Sequence, residues 1–250
     1  WCGGSIPGTS VSHVDRLDLG NDTATAVKKG NLTAINHYAA AAGNESYGYI
    51  FGGRPGGTAS SRVDRIDYAN DSVTATSKGP LSAAFQYHAA TGNADYGYSA
   101  GSWVPGNPTS AIDRLDYAND SSAATPKGSL SFARYNNSAT GNANYGWFGG
   151  GNTPSTPSTI SSRIDRLDYA NDTATAVQKG PLNSDRTRTG ATGSSSFGYW
   201  NGGFGYTRFE RVDFANDTGT ASVRGNFVAF APANTGYIDF TTATSGQENG

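Results

Sequence analysis

An acid, an arginine and a second acid recur together along this chain. Val14-Asp15-Arg16-Leu17-Asp18 returns as Val63-Asp64-Arg65-Ile66-Asp67, Ile112-Asp113-Arg114-Leu115-Asp116 and Ile164-Asp165-Arg166-Leu167-Asp168, and finally as Phe209-Glu210-Arg211-Val212-Asp213. A carboxylate next to a guanidinium is a candidate acid–base pair. The first residues of the five motifs lie 49, 49, 52 and 45 positions apart. A catalytic pair is needed once, whereas a contact between neighbouring copies is needed every time. The period therefore assigns the motif to the frame, with bidentate Arg–carboxylate pairs between repeats as its expected use.

The other reactive patterns are weaker. Asn21-Asp22-Thr23 recurs as Asn70-Asp71-Ser72, Asn119-Asp120-Ser121, Asn171-Asp172-Thr173 and Asn216-Asp217-Thr218. Each is formally a glycosylation sequon, but Asn, Asp and Ser/Thr also close turns by bonding their own backbone, and the fivefold register favours turn chemistry. Asp18, Asn21 and Asp22 lack the spacing of a calcium-binding EF-hand loop. His13, His37 and His88 are scattered, so no zinc set forms. Glycine strings such as Phe148-Gly149-Gly150-Gly151 lack the Lys-Ser/Thr and helix of a phosphate loop. A glycosidase would need paired acids used once each. The non-repeated acids Glu45, Asp95, Asp185, Asp239 and Glu248 place only Asp185 near a plausible mouth. No catalytic residue, metal or cofactor is expected, and the chain reads as a non-enzyme.

Composition agrees with a turn-rich β protein: 34 Gly in 250 residues, no Met and only 15% charged residues. A net charge of −2 gives no basic footprint for nucleic acid, and no apolar run approaches a membrane span. The start Trp1-Cys2-Gly3-Gly4 is not a signal peptide and reads as a processed end or a segment of something longer. The lone Cys2 is expected to be a small buried residue of a first strand.

Each repeat reads as four strands. In the second copy, strand A covers Asn31 to Ala42, strand B Tyr47 to Gly53, strand C Arg62 to Tyr68 and strand D Val73 to Ser77. Gly43-Asn44-Glu45-Ser46, a variable loop Arg54 to Ser60 and the Asn-Asp turn join them. Tyr47-Gly48-Tyr49-Ile50-Phe51-Gly52-Gly53, a variable loop and Val63-Asp64-Arg65-Ile66-Asp67-Tyr68 together resemble the kelch repeat. The wording Asp-Arg-Leu-Asp-Tyr-Ala-Asn-Asp is also similar to kelch-type repeats in structural proteins of marine phages. The fourth strand departs from that pattern, carrying Thr, Ala or Val where kelch repeats have Trp. The resemblance implies blades of a propeller and names no ligand.

Residues 1–250 are therefore expected to form one all-β domain, a five-bladed β-propeller of four-stranded antiparallel blades. A C-terminal strand from Asn226 to Gly236 would complete the N-terminal blade and close the ring. In such a ring the B–C loops and the starts of the A strands share one face, and there the copies differ. That face is expected to carry Trp103, Tyr206, Arg54, Arg134, Arg186, Arg188, Tyr38 and Tyr87, a mixture of aromatic and polar groups suited to sugars or an acidic protein surface. The expected function is a binding or structural module on an extracellular or virion appendage. Its partners would be a glycan, a cell-surface protein or other subunits of an assembly. A purely architectural domain and a five-bladed glycoside hydrolase are the alternatives.

Overall fold

The computed structural model describes residues 2–6, 9–104, 106–155 and 158–227. Within them the chain is all-β, with 3-10 turns as its short helical pieces. No helix among the described residues is long and apolar enough to cross a membrane. Repeats 2, 4 and 5 each form a four-stranded antiparallel sheet in the order A-B-C-D. In repeat 2 the strands are Ala40–Gly43, Tyr47–Phe51, Val63–Asp67 and Thr76–Lys78. Repeat 4 uses Ser138–Gly141, Tyr145–Gly149, Ile164–Asp168 and Val177–Gln178. Repeat 5 uses Gly190–Gly193, Phe197–Asn201, Arg208–Asp213 and Ser222–Asn226. Repeat 3 runs Ala89–Gly92, Tyr96–Ala100, Asn107–Asp116 and Thr125–Arg134, with Trp103–Val104 paired back onto its strand C. Repeat 1 contributes His13–Arg16 and Val27–Asn31. Half-buried Cys2 bridges to Val14, and burial pushes its thiol pKa up. The C-terminal closing strand lies mostly outside the described residues.

The recurring motif does three separate jobs. In repeats 2 to 5 the first acid is buried and ties down the segment leading into strand A of its own repeat. Asp64 accepts from Thr33 N and Oγ1, Asp113 from Ser82 N and Oγ, and Asp165 from Ser131 N and Oγ. The last acid caps the 3-10 turn that follows it, as where Asp67 Oδ1 accepts from Ala69 N at 2.9 Å. Only the arginine crosses to the next repeat.

Its partner is the Asp of the Asn-Asp turn. Arg16 reaches Asp71, Arg65 reaches Asp120, Arg114 reaches Asp172 and Arg166 reaches Asp217, at 2.7–3.0 Å. The expected bidentate fork is corrected here. Arg takes Oδ2 alone, because Oδ1 receives a lysine from strand D or the residue just after it: Lys29, Lys78, Lys127 or Lys179. Burial would raise the Asp120 pKa, but hydrogen bonds from Lys78, Tyr49 and Arg65 outweigh it and hold it below the usual carboxylate value.

The same junction stacks rings. Tyr49 lies on Tyr117 at 4.5 Å, Tyr98 on Tyr169 at 4.7 Å and Trp147 on Phe214 at 3.7 Å, each within 5° of parallel. Their polar tips donate to Asp120, Asp172 and Asp217. A glycine completes the contact. Gly30, Gly79, Gly128 and Gly180 each donate N–H at 2.8 Å to the carbonyl of that junction's Asp. The four hydrophobic clusters among the described residues also lie at junctions, each drawing on two neighbouring repeats. Each sheet thus buries its faces against its neighbours, as in other repeat proteins.

The ends of the series differ. Asp22 is exposed, Leu19 is 74% exposed, and no described residue lies within 4 Å of a Cβ built on Gly225. Tyr199, the counterpart of fully buried Tyr98, is half-buried.

One buried group makes stability depend on pH. His88 is 6% exposed and burial lowers its pKa to about 4, offset only in part by the Phe51 backbone. The folded form therefore resists a proton that the unfolded chain accepts near pH 6.5. Stability is full above that value and declines as pH falls from about 6.5 to 4, by about 3 kcal/mol. Urea unfolding at stepped pH should show this slope, and His88→Asn, which copies Asn137 at the same register, should flatten it.

Candidate functional site

The strand A segments do not begin where sequence places them. Strand A of repeat 2 starts at Ala40 rather than Asn31, because Tyr38 interrupts the extended chain with φ 56°. Tyr87, Asn136 and Arg188 do the same in the next three repeats, at 56°, 55° and 59°. These four are the only non-glycine residues with positive φ among those described. Each such residue costs on the order of 1 kcal/mol or more, and strain of this kind clusters at binding and catalytic sites.

Hydrogen bonds fix the four in series. Tyr87 N donates to Tyr38 O at 3.0 Å, Asn136 N to Tyr87 O at 2.6 Å and Arg188 N to Asn136 O at 2.9 Å. Their side chains meet around one cavity of about 530 Å³. Its lining is Tyr38, Arg54, Gln86, Tyr87, Trp103, Tyr135, Asn136 and Arg188.

Five of the eight expected residues come together here: Tyr38, Tyr87, Trp103, Arg54 and Arg188. The rings of Tyr38 and Tyr87 pack at 4.1 Å, and Trp103 meets Tyr135 edge-on at 4.9 Å. Arg54 Nε donates to Gly57 O at 2.7 Å, which holds the B–C loop beside the cavity. Burial raises the Tyr87 pKa, Tyr38 adds to this, and a hydrogen bond from Arg54 opposes it. Burial lowers the His37 pKa and Arg54 adds to it, so the Arg54 charge is felt on both sides.

Arg134 and Arg186 are corrected. Both are wholly buried and take no part in the surface. Arg134 donates to the carbonyls of Phe148, Gly150 and Arg163 and pairs with Asp165 at 2.7 Å. Arg186 donates to Gly202 and Arg208 carbonyls and pairs with Glu210 at 2.8 Å. The reason is the left-handed residue two places on. It breaks strand alternation, so residues that would share a face with Asn136 and Arg188 turn into the sheet instead. Tyr206 stays half-buried over the Arg186 guanidinium at 4.6 Å and does not line the cavity.

Of the other three lining residues, Asn136 shares the column of Tyr38, Tyr87 and Arg188, and sequence reasoning missed Gln86 and Tyr135. Each immediately precedes a left-handed residue, and that column, His37, Gln86, Tyr135 and Thr187, differs in every repeat. Its variability was the available signal. Gln86 is 7% exposed, and its Oε1 has no hydrogen-bond partner among the described residues. Among the described residues no carboxylate lines the cavity. Among the described residues no cluster of His, Cys, Asp and Glu could hold a metal ion. No family model matches the chain, and no curated protein matches it.

Proposed function

We propose that the five repeats are blades of one closed, kelch-like propeller. The chain is then a non-enzymatic binding module of an extracellular or virion appendage. It recognises a glycan or a protein surface through the loop face around the Tyr38–Arg188 cavity. The observation that carries this reading is the convergence of four strained residues of three types, Tyr38, Tyr87, Asn136 and Arg188, from four repeats on one cavity, above junctions that are nearly uniform. A frame has no use for strain at the one place where its copies differ, whereas a preorganised binding surface does. The cavity's described lining offers aromatic faces, amides and guanidinium groups, and no acid pair stands among the described residues, which favours binding over glycosidic hydrolysis.

The test is a glycan panel together with a cell-surface pull-down. Wild type is expected to bind at least one surface, and Trp103→Ala to weaken it roughly tenfold or more, as for a central aromatic anchor. Absence of binding at high protein concentration would sink the reading. So would equal binding by the variant.

A further inference from the structure

We infer that the cavity takes a sugar ring whose neighbouring hydroxyls engage the Gln86 carboxamide, which makes Gln86 the residue that selects a glycan. The inference rests on the binding reading above and narrows it.

Gln86 stands between buried Phe85 and left-handed Tyr87, and its main chain is fully engaged. Its N–H donates to Ser102 Oγ at 3.0 Å. Its carbonyl accepts from that hydroxyl at 3.1 Å and from Trp103 N at 2.9 Å. Ser102 is wholly buried, so the clamp is anchored in the protein interior. The side chain that this clamp presents lines the cavity at 7% exposure, and its Oε1 has no hydrogen-bond partner among the described residues. A buried acceptor left unpaired is costly, and a donor brought by a ligand removes that cost.

The surroundings of the amide narrow the donor. Half-buried Trp103, held by the same clamp, meets half-buried Tyr135 edge-on at 4.9 Å, so flat rings border Gln86 in the cavity wall. Such rings suit the apolar C–H face of a pyranose and add area at low entropic cost. A carboxamide carries an acceptor and donors side by side. Two adjacent ring hydroxyls match it, one donating to Oε1 and the other accepting from Nε2. A trans peptide unit points its N–H and C=O in opposite directions, so it answers only one half of the amide. The cavity, about 530 Å³, falls within the range of roughly 300–1,000 Å³ usual for small-molecule sites. That size suits a few sugar units better than the broad contact of a folded protein.

Melting curves of the full chain test this without a ligand. Gln86→Met keeps the length of the side chain and removes the amide. It should melt at or above the wild-type temperature, because it deletes an unpaired buried group. A fall of more than about 2 °C would mean that the amide is spent within the fold, and overturns the inference. Calorimetry then uses neutral tetrasaccharides of glucose, galactose, mannose and N-acetylglucosamine. At least one should bind wild type, and Gln86→Met should weaken it roughly tenfold or more, since a buried hydroxyl loses its partner. Equal affinity of variant and wild type overturns the inference and leaves glycan binding standing. If no tetrasaccharide binds, the inference falls. Capture of a cell surface stripped of its glycans would then favour a protein surface, and no binding at all would sink the module reading as well.

Discussion

Asp165→Ala is expected to destabilise the protein by about 3–5 kcal/mol, the cost of stranding a buried charge. Asp165 and Arg134 are both fully buried and meet at 2.7 Å. Burial lowers the Arg134 pKa to about 10 despite the neighbouring carboxylate, so the guanidinium stays charged at neutral pH. Removing Asp165 leaves that charge with three backbone carbonyls and no counter-ion. For a chain of this size the melting temperature should fall by roughly 6–20 °C. Arg134→Phe should be far milder. The chain contains that arrangement already: Phe85 sits at the same register in repeat 3, and Asp113 is held by Ser82 alone. In the variant, Ser131 still satisfies Asp165. Urea unfolding of both variants decides the matter. An Arg134→Phe loss as large as that of Asp165→Ala would mean that the pair, not the stranded charge, carries the stability.

Gly180→Ala is expected to cost about 2–3 kcal/mol, the upper range for overpacking. A Cβ there would lie 2.0 Å from the Gly219 carbonyl oxygen, and backbone cannot swing aside as a side chain can. Gly225 occupies the equivalent place in the last repeat, with no described neighbour within 4 Å of its Cβ position. Its variant reports on ring closure. If the exposed Asn21-Asp22-Thr23 turn docks on repeat 5, Gly225→Ala should cost as much as Gly180→Ala, and Asp22 should find Arg211 and Arg224. If the series stays open, Gly225→Ala should lie within about 0.5 kcal/mol of wild type. That result would remove the closed ring while leaving four junctions and the cavity intact.

Much of the frame was legible because it is written five times. The period gave the strand order, and the Asn-Asp turns gave themselves away by residues that bond their own backbone. The start of strand A was not legible. Left-handed backbone is usually announced by glycine, and here Tyr38, Tyr87, Asn136 and Arg188 adopt it instead. Of the four only Asn136 is of a type that tolerates such backbone readily, and nothing local in Tyr38, Tyr87 or Arg188 signals the break. The misplacement of Arg134 and Arg186 follows from the same silence. A charged side chain near a loop ordinarily faces water, and only the assembled sheet shows the carbonyls at Gly150 and Gly202 that receive it. The cavity was half legible. Differences between copies located its rim, but the choice among varying columns depended on the unseen turn of the backbone.

The junction has one further consequence. It is made from main-chain N–H and carbonyl groups, one carboxylate, two cations and a pair of flat rings, and it ignores the rim residues altogether. Any repeat so equipped can follow any other. The repeats are therefore interchangeable cassettes, and duplication or recombination within the coding sequence can reshuffle the rim without renegotiating assembly. A lineage with this architecture can change its rim one cassette at a time.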